Sequence, residues 1–330
     1  MDDAYRLVFR RTGRPGEVLE VERFRPEPGA GEVVVRMRAA PVNPADLNLM
    51  EGTYGVKPEL PTVAGIEGCG VVESEGHAGF PPGTAVIFLD RAGSWASHAC
   101  VPAGRLVALP EGMDPLQAAM LKVNPATAWC LLKRVRGLEA GDWVVQNAAT
   151  SGVGGCVIQL ARDAGVRVIS FVRRVETAGD LAGLGAEHVL PDSDEGVAEA
   201  IELMGGRRSV LALNAVGGES ALRLMNLLDD GGAHVTYGAM ARRPLTVPNG
   251  LLIFRDLRFS GFWLSRWMER AGEPEVRGIY ADLAARVAGG GLVQRVDSVF
   301  PLWDFGAALG RLEEPGRMGK VLLDCGVEFS

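Results

Sequence analysis

A chain of 330 residues, 47% of them hydrophobic and 23% charged, has the balance of a globular protein with room for two cored domains. Its formal net charge of −7 argues against a general nucleic-acid binder, local basic patches aside. No apolar run reaches the ~20 residues that a membrane helix needs. Cysteines at 69, 100, 130, 156 and 325 are scattered and odd in number, without a Cys-x-x-Cys pair. Neither a disulfide framework nor a structural zinc site is expected, and a reducing cytosol is the expected compartment. The N-terminus lacks an apolar signal core and opens with Asp2 and Asp3, which predicts neither a secretion signal nor a transit peptide.

Residues 1–110 read as mostly β. Strands are predicted over Glu32–Arg38, Gly68–Glu73 and Ala85–Leu89, punctuated by Pro58, Pro61 and Pro81-Pro82-Gly83. Many short strands between turns suggest a compact barrel or a distorted sandwich. The segments Asn43–Asn48 and Glu51–Gly55 read as a polar loop, with Tyr54 in a glycine-flanked turn. Two readings of Tyr54 stand together: a phenol presented to a cleft as acid or oxyanion donor, and an ordinary surface tyrosine.

From Asp114 the pattern changes. Asp114-Pro115 predicts a helix start, and a second helix is expected over Pro125–Arg134. Asn124 at its head is placed either to cap it or to reach a ligand. Strands at 143–146, 167–172, 188–190, 210–215, 234–237 and 257–261 then alternate with helices at 156–164, 176–184, 197–204 and 220–228. That alternation predicts right-handed βαβ units and a doubly wound parallel sheet over 119–265, an α/β domain. The tail, with helices at 274–288 and 303–312 and strands at 295–301 and 320–323, is expected to pack back on the first domain, giving 1–118 together with 266–330. A ligand is expected in a cleft between the domains, at the carboxyl ends of the parallel strands.

The stretch Val144–Ile158 organises this second domain. A buried strand runs into Thr150-Ser151-Gly152-Val153-Gly154 and then into a helix. Strand, glycine turn and helix bring backbone N–H groups and a helix N-terminus to a phosphate. Gly152 is expected to allow the turn and Gly154 to let a pyrophosphate approach. With Val157 at the third small position the motif alone is weak. Nineteen residues after Gly154 the second strand ends in Arg173-Arg174. NAD-binding domains usually carry an acid there. Two arginine forks suit a 2′-phosphate, which favours NADPH, and a solvated strand end is the other reading. Tyr237-Gly238-Ala239-Met240 and Phe262-Trp263-Leu264 follow the fifth and sixth strands, where they line a cofactor crevice or simply belong to the core. His77, His98, His188 and His234 have no pairing that suggests a metal site, and no Gly-x-Ser-x-Gly elbow or Ser-His-Asp arrangement stands out. Arg242, Arg243, Arg255, Arg258, Arg266 and Arg270 crowd a short stretch. They form either a grip for ligand phosphates or a solvated charged face.

Ala40–Asp46, Gly65-Ile66-Glu67, Gly141–Gln146 and the glycine turn together resemble the medium-chain dehydrogenase/reductase superfamily, zinc-free branch, over nearly the whole chain. Zinc-dependent members carry Gly-His-Glu where this chain has Gly65-Ile66-Glu67, and the four-cysteine lobe is missing. Within the branch, Glu51–Pro61, Lys122–Ala128, Val145–Gly154 and Phe254–Trp267 resemble trans-2-enoyl thioester reductases of the mitochondrial type. The resemblance implies a Rossmann domain for NADPH and a GroES-like β-rich catalytic domain, and reduction of an α,β-unsaturated enoyl thioester, carried on coenzyme A or on a phosphopantetheine carrier protein, without a metal. It implies Tyr54 as proton donor, and cofactor contacts from Asn124, the turn Thr150–Gly154, Arg173 and Arg174, Tyr237–Met240, Phe262–Leu264 and Lys320. The family's strand end often reads Arg-Asp-Arg, and here it is Arg173-Arg174-Val175. A homodimer joined through the edge of the nucleotide-domain sheet is expected by analogy. A quinone or enone reductase of the same branch, and a non-catalytic NADPH-binding protein, are the alternatives.

Overall fold

The computed structural model describes residues 4–73, 79–135 and 137–326; His77 lies outside them. The chain divides into two compact units, residues 1–123 with 274–330, and residues 124–273.

The first part of the chain runs β1 (Ala4–Phe9), α1 (Pro15–Val18), β2 (Leu19–Phe24), β3 (Glu32–Pro41), α2 (Pro44–Glu51), β4 (Thr62–Val63), β5 (Cys69–Val72), β6 (Ala85–Phe88), β7 (His98–Pro102), β8 (Leu106–Ala108) and α3 (Pro115–Ala119). The second unit carries α4 (Asn124–Cys130), β9 (Trp143–Gln146), α5 (Gly152–Asp163), β10 (Arg167–Val172), α6 (Ala178–Ala182), β11 (His188–Pro191) and α7 (Asp194–Leu203). It continues with β12 (Ser209–Asn214), α8 (Gly218–Leu227), β13 (Leu228–Thr236), α9 (Asn249–Ile253), β14 (Arg258–Gly261) and α10 (Leu264–Arg270). The tail is α11 (Glu273–Ala288), β15 (Val296–Pro301), α12 (Phe305–Glu313) and β16 (Lys320–Asp324).

In the first unit, one sheet is ordered β2-β1-β4 and a larger one β15-β16-β3-β5-β6-β8, with β7 also paired to β3. The tail thus closes on the N-terminal strands, Leu323 standing opposite Ala40 across an antiparallel pair. Alternate residues of β3 (Val33, Val35, Met37) meet Phe9, Phe88, Trp95 and Leu106 in a core from which water is excluded. The sequence pattern predicts no counterpart to β1, β2, β4, β7 or β8. On β2, Glu22 holds Arg6 (2.5 Å) and Arg10 (2.6 Å).

The second unit is a six-stranded sheet of order β11-β10-β9-β12-β13-β14, every pair parallel. The doubly wound expectation therefore holds. Central strands are buried on both faces, which is why Trp143–Gln146 shows no alternation. Helix ends follow their capping residues. Asp114 accepts the Leu116 N–H at 3.0 Å and Ser193 the Gly196 N–H at 3.3 Å. Two expectations are corrected. The region 43–51 is not a loop: Asn43, Pro44 and Asp46 open a helix. The helix after the glycine turn begins at Gly152, not Cys156, because Ser151 caps it.

Candidate functional site

Because all six strands of the second unit run the same way, the loops that follow them share one edge. The glycine turn is built on that edge from β9 onward. Ala148 sits in the left-handed region at φ 48°, and its carbonyl accepts the Ser151 N–H at 2.8 Å. Ser151 Oγ accepts the Gly154 N–H at 3.1 Å, so the first N–H groups of α5 are aimed outward from a fixed turn. Both glycines are also hemmed in by their neighbours. A Cβ on Gly154 would lie 2.6 Å from the Ala149 carbonyl oxygen, and one on Gly152 would lie 2.5 Å from Asn124 Nδ2. Gly154 is thus required by closure of the turn on itself. Gly152 is required by the Asn124 amide resting on it. Asn124 is the first residue of α4 and buried.

A buried polar network ties this edge together. Asn147, the residue after β9, donates from Nδ2 to Asn214 Oδ1 (2.9 Å) and Ser220 Oγ (2.8 Å), and its Oδ1 accepts the Ala215 N–H (2.8 Å). Asn214, at the end of β12, accepts the N–H groups of Val216 and Gly217 and donates to Thr236 Oγ1 at the end of β13. Ser220 Oγ donates to Asp192 Oδ2 (2.5 Å), which Arg223 also engages. Three neighbouring strand ends are locked by side-chain amides, a fully satisfied network that a single sequence motif does not announce.

Around it stand the residues singled out from sequence. Arg173 and Arg174 follow β10 and are exposed. Among the described residues no carboxylate holds either fork, so both are uncommitted. Tyr237, Gly238, Ala239 and Met240 follow β13: the Tyr237 N–H donates to Asn214 O and the Met240 N–H to Ala215 O, both at 2.9 Å. Burial pushes the Tyr237 phenol up, well above the usual range. Phe262, Trp263 and Leu264 follow β14, with Phe262 N–H bonded to Thr236 O at 2.9 Å. Phe262 and Trp263 are half-buried and Leu264 is buried, so the segment is partly core. The six crowded arginines do not form one patch of free charge. Arg255 is spent on Asp230 (2.9 Å) and the Leu228 carbonyl, and Arg258 lies 3.6 Å from Asp256.

In the first unit, α2 is the organising element. Its C-terminal turn ends at Gly52 (φ 73°), and the Asn48 carbonyl accepts the N–H groups of Thr53 (2.9 Å) and Tyr54 (3.1 Å). Tyr54 is half-buried, with its ring against the core. At the other end of α2, Asp46 accepts the N–H groups of Asn43 and Ile66, each at 2.8 Å. Asn43 Nδ2 donates to Glu67 Oε1 (2.8 Å) while its Oδ1 accepts from Lys320 Nζ. Glu67 Oε2 accepts the Val123 N–H at 2.8 Å. Lys122 Nζ donates to the carbonyls of Ile66 (3.0 Å) and Asp90 (2.9 Å). Burial pushes Asp46 up to about 7, raises Glu67, and draws Lys122 down to about 8. The sequence carried a signal for this cluster, since Asn-Pro-x-Asp is an N-cap, a proline at N1 and an acid at N3. Ile66 stands where a zinc ligand would be, and among the described residues no group of three His, Cys, Asp or Glu could hold a metal ion.

A Ser–His–Glu contact does exist: Ser97 Oγ to His98 Nδ1 at 3.0 Å, and His98 Nε2 to Glu73 at 3.1 Å. Ser97 is buried and its hydroxyl exchanges bonds with both backbone groups of Tyr5 (3.0 and 3.2 Å), which makes it a tether between strands, not a nucleophile.

Residues 29–111 match the family described as alcohol dehydrogenase GroES-like domain, and residues 152–277 that described as zinc-binding dehydrogenase. The mitochondrial enoyl-[acyl-carrier-protein] reductase of Xenopus tropicalis is 37% identical, over 96% of this chain and 94% of its own. This chain belongs to the medium-chain dehydrogenase/reductase family. Among solved structures, the Etr1p/NADP/crotonyl-CoA complex has a TM-score of 0.89 at 27% identity, over 98% of this chain and 100% of its own. A putative NADPH:quinone reductase from Bacillus thuringiensis has 0.90 at 26%, over 97% and 98%. One expectation is overturned. Relatives named as mitochondrial point away from the cytosol, and scattered reduced cysteines are equally at home in any reducing compartment.

Proposed function

We propose that this medium-chain reductase uses NADPH to reduce the C=C bond of a trans-2-enoyl thioester. The observation that carries the reading is 37% identity, along nearly the whole chain, to enoyl-[acyl-carrier-protein] reductases. The unit 124–273 is the NADPH domain. The first-turn N–H groups of α5 suit a pyrophosphate, and the uncommitted forks of Arg173 and Arg174 suit a 2′-phosphate. Asn124, Thr150–Gly154, Tyr237–Met240, Phe262–Leu264 and Lys320 line the cofactor. When bound, NADPH supplies the hydride that the β-carbon receives. Tyr54 holds a proton for the α-carbon and donates toward the thioester oxygen, where charge develops as the enolate forms.

The test is an acceptor panel with NADPH and NADH side by side. Crotonyl-CoA should be reduced at least about tenfold faster than quinones, and NADPH preferred by at least about tenfold, the preference falling toward unity in Arg173→Ala/Arg174→Ala. Similarity to a putative quinone reductase favours a second reading, and a quinone rate above the crotonyl-CoA rate would install it.

The protein is also proposed to be a homodimer joined along β14. That strand ends the sheet, and Leu252, Ile253 and Phe254 just before it are exposed, Phe254 at 81%. Sedimentation should give a dimer that Ile253→Glu/Phe254→Glu converts to monomer. A monomeric parent protein would exclude the interface.

A further inference from the structure

The mechanism above uses Tyr54, Lys320 and Asn124, but not Glu67. Glu67 is fully buried and both of its oxygens are committed: Oε1 to Asn43 Nδ2 and Oε2 to Val123 N–H, each at 2.8 Å. Asn43 is the last residue before α2, the helix that ends in the turn carrying Tyr54. The same amide accepts from Lys320 Nζ through Oδ1. Val123 is the residue directly before Asn124. One carboxylate therefore holds the root of the Tyr54 helix, the amide that orients Lys320, and the peptide that leads into Asn124. Asp46 and Lys122 brace the same point by binding the N–H and C=O of Ile66, Glu67's neighbour.

We propose that Glu67 is a positioning residue for the reduction: through Asn43 it fixes Lys320, and through Val123 it fixes the start of the Asn124 segment. The assignment rests on the function proposed above. A buried carboxylate is costly unless its acceptors are filled. Here two N–H donors fill them, and neither a glutamine nor an alanine reproduces that pattern. The amide of a glutamine offers one acceptor and one donor pair, so either Asn43 or Val123 would face an N–H group.

The experiment is steady-state kinetics of Glu67→Gln with crotonyl-CoA and NADPH, beside thermal unfolding. The KM for NADPH should rise about tenfold, the loss expected when the charged contact of Lys320 to the cofactor is misplaced, while the KM for crotonyl-CoA stays within about twofold. A merely structural role would lower the folded fraction, and so kcat per mole, with both KM values unmoved; that outcome overturns the proposal. A double-mutant cycle with Lys320→Met separates the routes: losses in NADPH binding should be clearly less than additive, because Glu67 acts through Lys320, and full additivity would refute the Asn43 link. Should Glu67→Gln not fold, Asn43→Ser carries the same test, since it cuts the link and leaves Glu67 on Val123. It should raise the NADPH KM alone, and an unchanged KM would refute the link. If the parent protein does not reduce crotonyl-CoA, the proposed function fails. If the parent is active and the KM split is absent, only the positioning role fails.

Discussion

Replacing Tyr54 by phenylalanine is expected to lower kcat for crotonyl-CoA reduction by about 100-fold or more, with NADPH affinity changed by less than about twofold. The ring is half-buried against the core of the first unit, and a phenylalanine ring fills the same space. The backbone that carries it is set by Asn48, Gly52 and the end of α2, none of which depends on the phenol. The substitution therefore removes a proton and a hydrogen-bond donor and keeps the ring. If Tyr54 serves the developing enolate or the α-carbon, the loss falls on hydride transfer or on the protonation that follows it, so it appears in kcat and in kcat/KM together. Cofactor binding, measured by quenching or enhancement of NADPH fluorescence, should not register it. A variant that retains half of the parent's kcat would remove Tyr54 from the chemistry and shift attention to donors on the cofactor side.

The parallel sheet is legible because its central strands β9, β10 and β12 are apolar runs bounded by turns, and a strand buried on both faces is the plainest pattern a sequence offers. Its carboxyl edge was legible for the same reason: once the strands are placed, Tyr237, Phe262 and Arg173 fall at their ends by arithmetic. What lay hidden was polar and long-range. Asn147 and Asn214 are two asparagines among many until β9 and β12 become neighbours and their amides meet. Asn43 and Lys320 are 277 residues apart, and no local pattern links them. Helix α2 looks like a loop in the sequence because it is short and carries little apolar periodicity. Only Leu49 and Met50 among its apolar residues are fully buried, so capping chemistry, not amphipathicity, specifies it. The glycines were placed correctly, but the neighbours that exclude a side chain were backbone and amide atoms that a motif does not name.

Those neighbours make the sharpest second expectation. Gly154 and Gly155 are adjacent residues of α5, and neither lies at positive φ. By intrinsic propensity alone, alanine at either should stabilise the helix by up to ~1 kcal/mol. Packing separates them. At Gly154 the new Cβ would sit 2.6 Å from the Ala149 oxygen, 2.7 Å from its Cα and 2.8 Å from its carbonyl carbon. All three are backbone atoms of the turn, which cannot step aside without shifting the strained Ala148 and breaking the Ser151 cap. At Gly155 the nearest atom is Leu184 Cδ1 at 3.2 Å, the end of a side chain that can turn away. Gly154→Ala should therefore cost ~1–3 kcal/mol of stability in the second unit, as overpacking does, and should weaken NADPH binding at least about tenfold as the turn opens. Gly155→Ala should stay within ~1 kcal/mol of the parent and keep its NADPH affinity. Thermal unfolding and NADPH titration of the two variants side by side decide the matter. Equal tolerance of alanine at both positions would mean that the turn is loose, and that the approach of a phosphate, rather than the closure of the backbone on Ala149, is what keeps glycine at 154.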